Sequence, residues 1–237
     1  MKSFNVTILT LYPEVFPGPL AFSILKKAAE KKLWQLKVIN IRDFGEGSYK
    51  KVDDTLFGGG KGLLLKPDVL GKAIEFAFNE GASKNLVLLT PSGIPLQQKN
   101  VQYLANSDGI TIICGHFKGI DYRILNKYNP LEISMGDFII SGGEIAAMMV
   151  VDACVRLLPG AMTSVESTSL ESFTNGLLEC PHYTKPYDFN GFKVPEVLLS
   201  GNHKKIAAWR KEAAIVLTKQ KRPDLWEKYS KGDNKDD

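Results

Sequence analysis

The chain has 237 residues and a mass of 26.2 kDa, with 44% hydrophobic and 24% charged residues. That balance excludes a disordered chain, a collagen-like repeat and a disulfide miniprotein. A net charge of +4 permits a polyanionic partner without demanding one.

Short apolar runs bounded by Gly, Pro, Asn or Asp predict strands at Phe4–Leu11, Leu36–Ile41, Leu86–Thr90, Ile110–Cys114 and Phe138–Ser141. Between them, Leu20–Lys32, Asp68–Asn79, Gln97–Ala105 and Gly119–Lys127 carry helical spacing. Glu144–Leu157 reads as a further helix, almost wholly apolar and therefore buried, stopped by Pro159-Gly160. The alternation predicts an α/β fold with a mostly parallel sheet. The hydroxyl-rich Ala161–Ser169 stretch reads as a linker. Cys180–Pro195 is rich in prolines and aromatics, and helical spacing returns from His203. The expected organisation is a main α/β domain over 1–162, a flexible linker over 163–175, and a small, mostly helical C-terminal domain over 176–237.

Cys114, Cys154 and Cys180 are widely spaced and offer no zinc-ligand pattern beside three histidines, which fits a reduced cytoplasmic setting. Met1–Leu11 lacks the pattern of a signal peptide. The longest strongly apolar stretch, Ile145–Val151, is far short of the roughly 20 residues that span a bilayer, so no membrane partner is expected.

Phe57-Gly58-Gly59-Gly60-Lys61-Gly62 meets neither the Walker A pattern nor the dinucleotide fingerprint. It reads either as a flexible loop or as one that closes on an anionic or planar ligand. Leu89-Thr90-Pro91-Ser92-Gly93, Cys114-Gly115-His116-Phe117-Lys118-Gly119 and Ser141-Gly142-Gly143-Glu144 each follow an apolar run. Ligands of α/β sheets bind beyond the carboxyl ends of strands, where glycine lets backbone approach closely, so a shared pocket is expected. Arg156 ends an apolar helix, either complementing its dipole or facing an oxygen that gains charge. His203–Arg222 holds seven Lys or Arg residues against one acid, whereas the last fifteen residues hold five acids and three lysines. This concentrated basicity points to a polyanion.

Jointly, these segments resemble the bacterial tRNA (guanine-N1)-methyltransferases, which modify guanosine 37 beside the anticodon. The resemblance runs from Leu9-Thr10-Leu11-Tyr12-Pro13-Glu14-Val15-Phe16 to Trp209-Arg210. It passes through Val52-Asp53-Asp54, Cys114–Asp121, Ser134–Glu144, Cys180–Pro186 and Val194–His203. It implies a trefoil-knotted SPOUT-type methyltransferase domain, a homodimer, S-adenosylmethionine as methyl donor, assisting magnesium, and the anticodon arm of tRNA as partner. By match, cofactor binding falls on Leu89, Thr90, Pro91, Gly93, Gly115, Ser134, Met135, Gly136, Asp137, Phe138, Ile139, Ile140, Gly142 and Gly143. The substrate-binding residues implied are Asp54, Gly59, Lys61, His182, Tyr183, Ser200, Asn202, His203 and Arg210. No metal ligand is assigned.

Guanine N1 carries a proton and a delocalised lone pair, so its methylation needs a base near N1 and a cation or donors near O6. The family places an aspartate in a Glu-Asp-Ser-Phe-like segment, which here reads Leu170-Glu171-Ser172-Phe173. The resemblance therefore implies Glu171 as the base, with Arg156 stabilising O6. Two further departures are His116-Phe117-Lys118 in place of a frequent Arg-Tyr-Glu, and Phe138 in place of a frequent tyrosine. The readings set against this one are a knotted methyltransferase acting on ribosomal RNA or another base, and a nucleotide-binding regulator without catalysis.

Overall fold

Strands buried on both faces need apolar residues at successive positions, and the chain supplies them in one sheet. The computed structural model describes residues 3–162 and 171–232. The chain divides into two units, Met1–Thr163 and Ser164–Asp237.

The first unit contains β1 (Phe4–Thr10), β2 (Trp34–Asn40), β3 (Asp53–Thr55), β4 (Leu63–Leu65), β5 (Leu86–Pro95), β6 (Gly109–Ile113) and β7 (Leu131–Ser134). Five of these form a parallel sheet in the order β2-β1-β6-β5-β7, while β3 and β4 make a separate antiparallel hairpin. Its helices are α1 (Ser23–Glu30), α2 (Pro67–Asn79), α3 (Gln98–Ala105), α4 (Tyr122–Tyr128) and α5 (Glu144–Val155).

The period-two alternation of the central strands splits the core into two layers. Val6, Ile8, Val87, Leu89, Ile110 and Ile112 pack with α1, α3 and α5. Leu9, Leu86, Leu88 and Ile113 pack with α2 and α4 on the opposite face. Ile8, Leu9, Ile112 and Ile113 are fully buried, and each such side chain contributes about 1.5–3 kcal/mol. Proline at the first turn opens α2, and the Asp121 carboxylate caps α4 by accepting from Arg123 N.

Two expectations are corrected. Phe138–Ser141 forms no strand; Phe138, Ile139 and Ile140 lie exposed in an irregular segment, with Ile139 79% accessible. The edge strand is Leu131–Ser134, whose half-buried Glu132 breaks the apolar run that marks the inner strands. The expected Leu20–Lys32 helix also starts later, because Gly18–Ala21 forms a 3-10 turn before α1.

β5 carries the feature that shapes the site. Leu89 and Ile94 both lie opposite Ile133 of β7, so residues 90–92 bulge out and the strand rejoins the same neighbour through Gly93. Gly93 sits where the returning chain meets β7, and a Cβ there would stand 2.5 Å from Glu132 C and 2.6 Å from Ile133 C.

In the second unit, β8 (Asp188–Phe189) and β9 (Phe192–Lys193) form a short antiparallel ribbon. It is followed by α6 (His203–Lys221) and α7 (Pro223–Lys231). Asn202 caps α6 by accepting from Lys205 N, and Thr218 on its buried side accepts from Leu178 N. The linker expected over 163–175 lies outside the described residues up to 170. From Glu171 the chain turns, with Thr174 N donating to Glu171 O and Gly176 N to Phe173 O.

Because Gly93 is pressed onto backbone rather than onto a movable side chain, Gly93→Ala is expected to destabilise the chain by about 1–3 kcal/mol. At roughly 2–4 °C per kcal/mol for a chain of this size, a thermal melt resolves the loss, and an unchanged midpoint would contradict this geometry.

Candidate active site

The carboxyl ends of β5, β6 and β7 open into one cavity of ≈ 710 Å³. Its wall is built from the 90–92 bulge, the Gly115–Ile120 loop, the segment that leaves β7 through Ser134, Met135 and Gly136, and the approach to α5 through Gly142 and Gly143. The bulge is braced internally. Thr90 Oγ1 and Ser92 Oγ lie 3.0 Å apart, and Ser92 Oγ donates to Glu132 Oε2 at 3.1 Å. Glycines bring the far wall close to the sheet: Gly143 N donates to Gly115 O, and a Cβ at Gly143 would stand 2.6 Å from Cys114 Cα.

Of the fourteen positions expected to hold the cofactor, twelve line this cavity. They are Leu89, Thr90, Pro91, Gly115, Ser134, Met135, Gly136, Phe138, Ile139, Ile140, Gly142 and Gly143. Gly93 lies behind the wall against β7, and Asp137 sits in the adjacent bend without lining the space. Ser92, His116, Phe117 and Lys118, which stand in two of the loops expected to share a pocket, also line it, as does Glu132, which the sequence does not place there. Lys118 borders the glycine-rich loop between β3 and β4. Its backbone N donates to Leu63 O, Leu65 N donates to Gly119 O, and its stem runs beside Gly62. The GGGKG loop is thereby anchored to the cavity segment at its β4 end.

The remaining expected residues fall on both units. In the first, Asp54 pairs with Lys51 at 2.7 Å, and the Lys51 hydrogen bond holds its carboxyl below the usual range. Gly59 and Lys61 are exposed in the loop, and Arg156 is half-buried at the end of α5. In the second, Glu171 is half-buried at the turn before Ser172, whose Oγ accepts from Glu179 N. His182 Nε2 lies 2.8 Å from Glu179 Oε1, and the Tyr183 and Trp209 rings are 6.2 Å apart. Ser200 and Asn202 shape the start of α6, His203 is its first residue, and Arg210 lies along its exposed surface near Cys180. Lys204, Lys205, Lys211, Lys219 and Lys221 are exposed on the same helix.

The cavity fits an adenosine-sized ligand with a polar tail, since it joins apolar surface to backbone brought near by glycine. Magnesium finds no comparable preparation: among the described residues no three His, Cys, Asp or Glu side chains converge. Among them, too, no helix is long and apolar enough to cross a membrane.

Cys114, at the end of β6 beside the cavity, is not a nucleophile. Burial, reinforced by the Glu144 charge, pushes its thiol well above the ordinary range, and burial pushes Cys154 up to about 12. A raised thiol pKa leaves the unreactive neutral form at pH 8. Neither residue is therefore expected to react with a thiol reagent in the native chain at pH 8, and both react after denaturation. Rapid native labelling of Cys114, mapped by mass spectrometry, would contradict this burial.

Comparison with known proteins agrees with this geometry. The family model described as tRNA (Guanine-1)-methyltransferase TrmD matches residues 4–228. A tRNA (guanine-N(1)-)-methyltransferase of Mesorhizobium japonicum is 50% identical over 223 residues, covering 94% of this chain and 96% of that protein. One from Brucella canis is 49% identical over 232 residues, covering 98% and 94%. One from a Wolbachia of Culex pipiens is 47% identical over 225 residues, covering 94% and 97%. The chain belongs to the tRNA (guanine-1)-methyltransferase family.

Proposed function

We propose that this protein transfers a methyl group from S-adenosylmethionine to N1 of guanosine 37 in tRNA. The observation that carries the reading is the glycine-walled cavity at the carboxyl ends of three parallel strands, in a chain matched by this family from residue 4 to residue 228. S-adenosylmethionine supplies a methyl group on a positively charged sulfur, an electrophile that leaves a neutral thioether behind.

The chain's residues then have three tasks. Thr90, Pro91, Gly115, Gly142 and Gly143 hold the donor on a rigid wall, which favours in-line transfer by fixing orientation. Glu171 accepts the N1 proton, making the N1 lone pair available. Arg156 offers a guanidinium to O6, where negative charge accumulates as that proton leaves. No step is assigned to magnesium. The exposed lysines and Arg210 of α6 face the phosphates of the anticodon arm, with Asp54, Gly59, Lys61, His182, Tyr183, Ser200, Asn202 and His203 as further RNA contacts. In this reading, residues 1–162 are the cofactor domain, 163–175 the linker and 176–237 the tRNA-binding domain.

The trefoil knot belongs to the same proposal and rests on membership of the family. So does the homodimer. α5 is apolar nearly all round, yet Ile145 is 62% and Met149 51% exposed, an apolar surface suited to a second copy. A cytoplasmic location follows from the substrate.

Labelled methyl transfer to unmodified tRNA tests the function. Guanosine at position 37 is expected to accept methyl and adenosine there to accept none, whereas equal transfer to both would overturn the substrate assignment. Within that assay, Glu171→Gln is expected to lose about 10²–10⁴-fold in rate, the usual contribution of a positioned base. Glu171→Asp should retain activity, and a fully active Gln variant would remove Glu171 from the role.

A further inference from the structure

Among the described residues, Glu144 is the only acidic or basic one that is buried, with 6% of its surface exposed. A carboxylate removed from water is costly unless its oxygens are matched by donors, so its surroundings show what holds it there. It occupies the first turn of α5, where the helix dipole favours negative charge. Thr10 Oγ1, at the end of β1, donates to Glu144 Oε1 at 2.5 Å, while the same hydroxyl accepts from Tyr12 N at 2.9 Å. His116 Nε2 lies 2.8 Å from Oε1 and 2.9 Å from Oε2. The Tyr12 ring meets the imidazole edge-on at a centroid distance of 5.0 Å.

This cluster joins three stretches of chain that are distant in sequence, and two of them are cavity walls. His116 itself lines the cavity with its Nε2 turned back to the carboxylate. Gly142 crosses directly over the pair: a Cβ there would stand 2.6 Å from both Glu144 Oε2 and His116 Nε2. Gly143 N completes the junction by donating to Gly115 O at 3.1 Å. The separation of the Gly115–His116 wall from the Gly142–Gly143 wall is therefore set by a hydrogen-bonded carboxylate–imidazole pair. The backbone hydrogen bond pins the two loops at one point, and the side-chain pair fixes them at a second, since glycines offer no side chains of their own to do so.

We propose that His116 and Glu144, with Thr10 as the second donor, form a buried latch that holds the two glycine walls at the spacing S-adenosylmethionine requires. Both are positioning residues for cofactor binding and take no part in the proton or methyl transfer. The inference rests on the cofactor reading above. With the latch broken, the walls sample other separations. If the competent one is populated a tenth of the time, apparent affinity falls about tenfold.

Titration calorimetry of the full chain with S-adenosylmethionine tests this. His116→Phe is expected to weaken binding by about tenfold or more, and His116→Gln, which keeps a donor at the Nε2 position, to stay within about threefold of wild type. If His116→Phe does not fold, because it strands the carboxylate, the double variant His116→Phe/Glu144→Met replaces the whole pair by apolar side chains. It is expected to fold and still bind about tenfold more weakly. In methyl transfer the cofactor KM should rise with the dissociation constant, while kcat at saturating cofactor stays within about threefold. Full affinity in the double variant, equal losses in the Phe and Gln variants, or a fall in kcat without a change in affinity would each overturn the latch. A wild-type chain that does not bind S-adenosylmethionine overturns the cofactor reading itself and the latch with it, whereas wild-type binding with unaffected variants overturns the latch alone.

Discussion

A strand that leaves a sheet and rejoins it opposite the same neighbouring residue must bring two backbones nearly into contact. β5 does this at Ile133, and Gly93 is the residue that makes the contact possible. The backbone of β7 at Glu132 and Ile133 occupies the place where any side chain on Gly93 would stand. From this constraint follow the outward bulge of residues 90–92, its bracing through Ser92 to Glu132, and a fixed wall on one side of the cavity. The opposite wall obeys the same rule in another form, since Gly143 lies against Cys114 and Gly142 against the His116–Glu144 pair. Backbone packed so closely that a side chain has no room, which only glycine permits, is thus the common element of the site.

The two units carry different chemistry. The first holds the cavity and ends α5 with Arg156; the second holds Glu171 and the basic surface of α6. Such a division suits a reaction whose small donor and large polyanionic acceptor have little in common. In the proposed function, a pocket walled by glycine backbone recognises the donor by shape, while the exposed lysines of α6 recognise phosphates by charge, a contact that tolerates solvent. Net charge hides this, because the basic residues of α6 are offset by acids elsewhere in the chain.

Much of this organisation was legible in the sequence, for physical reasons that also explain the failures. β1, β5 and β6 are buried on both faces, so their apolar runs announce them. The same rule misplaces the fifth strand. Phe138-Ile139-Ile140 is more apolar than Leu131-Glu132-Ile133-Ser134, yet the former lies exposed beside the cavity and the latter forms the sheet edge. An apolar run signals burial against something, and a ligand or a second copy of the chain serves as well as a sheet. The glycine loops were legible as a group because three of them followed apolar runs. Glu144 was not, since an acid at the first turn of a helix is ordinary. Its burial arises only when Thr10 and His116 converge on it from segments 134 and 28 residues away.

The proposed function depends above all on the glycine-walled cavity as the binding place of the methyl donor. Hydrogen-exchange mass spectrometry of the full chain, with and without S-adenosylmethionine, tests it most directly. Slowed exchange is expected to be confined to peptides covering residues 89–93, 115–120 and 134–143, with the outer helices α2 and α4 unchanged. Protection centred on α6 or on the β8–β9 ribbon, with the three glycine loops unaffected, would contradict it.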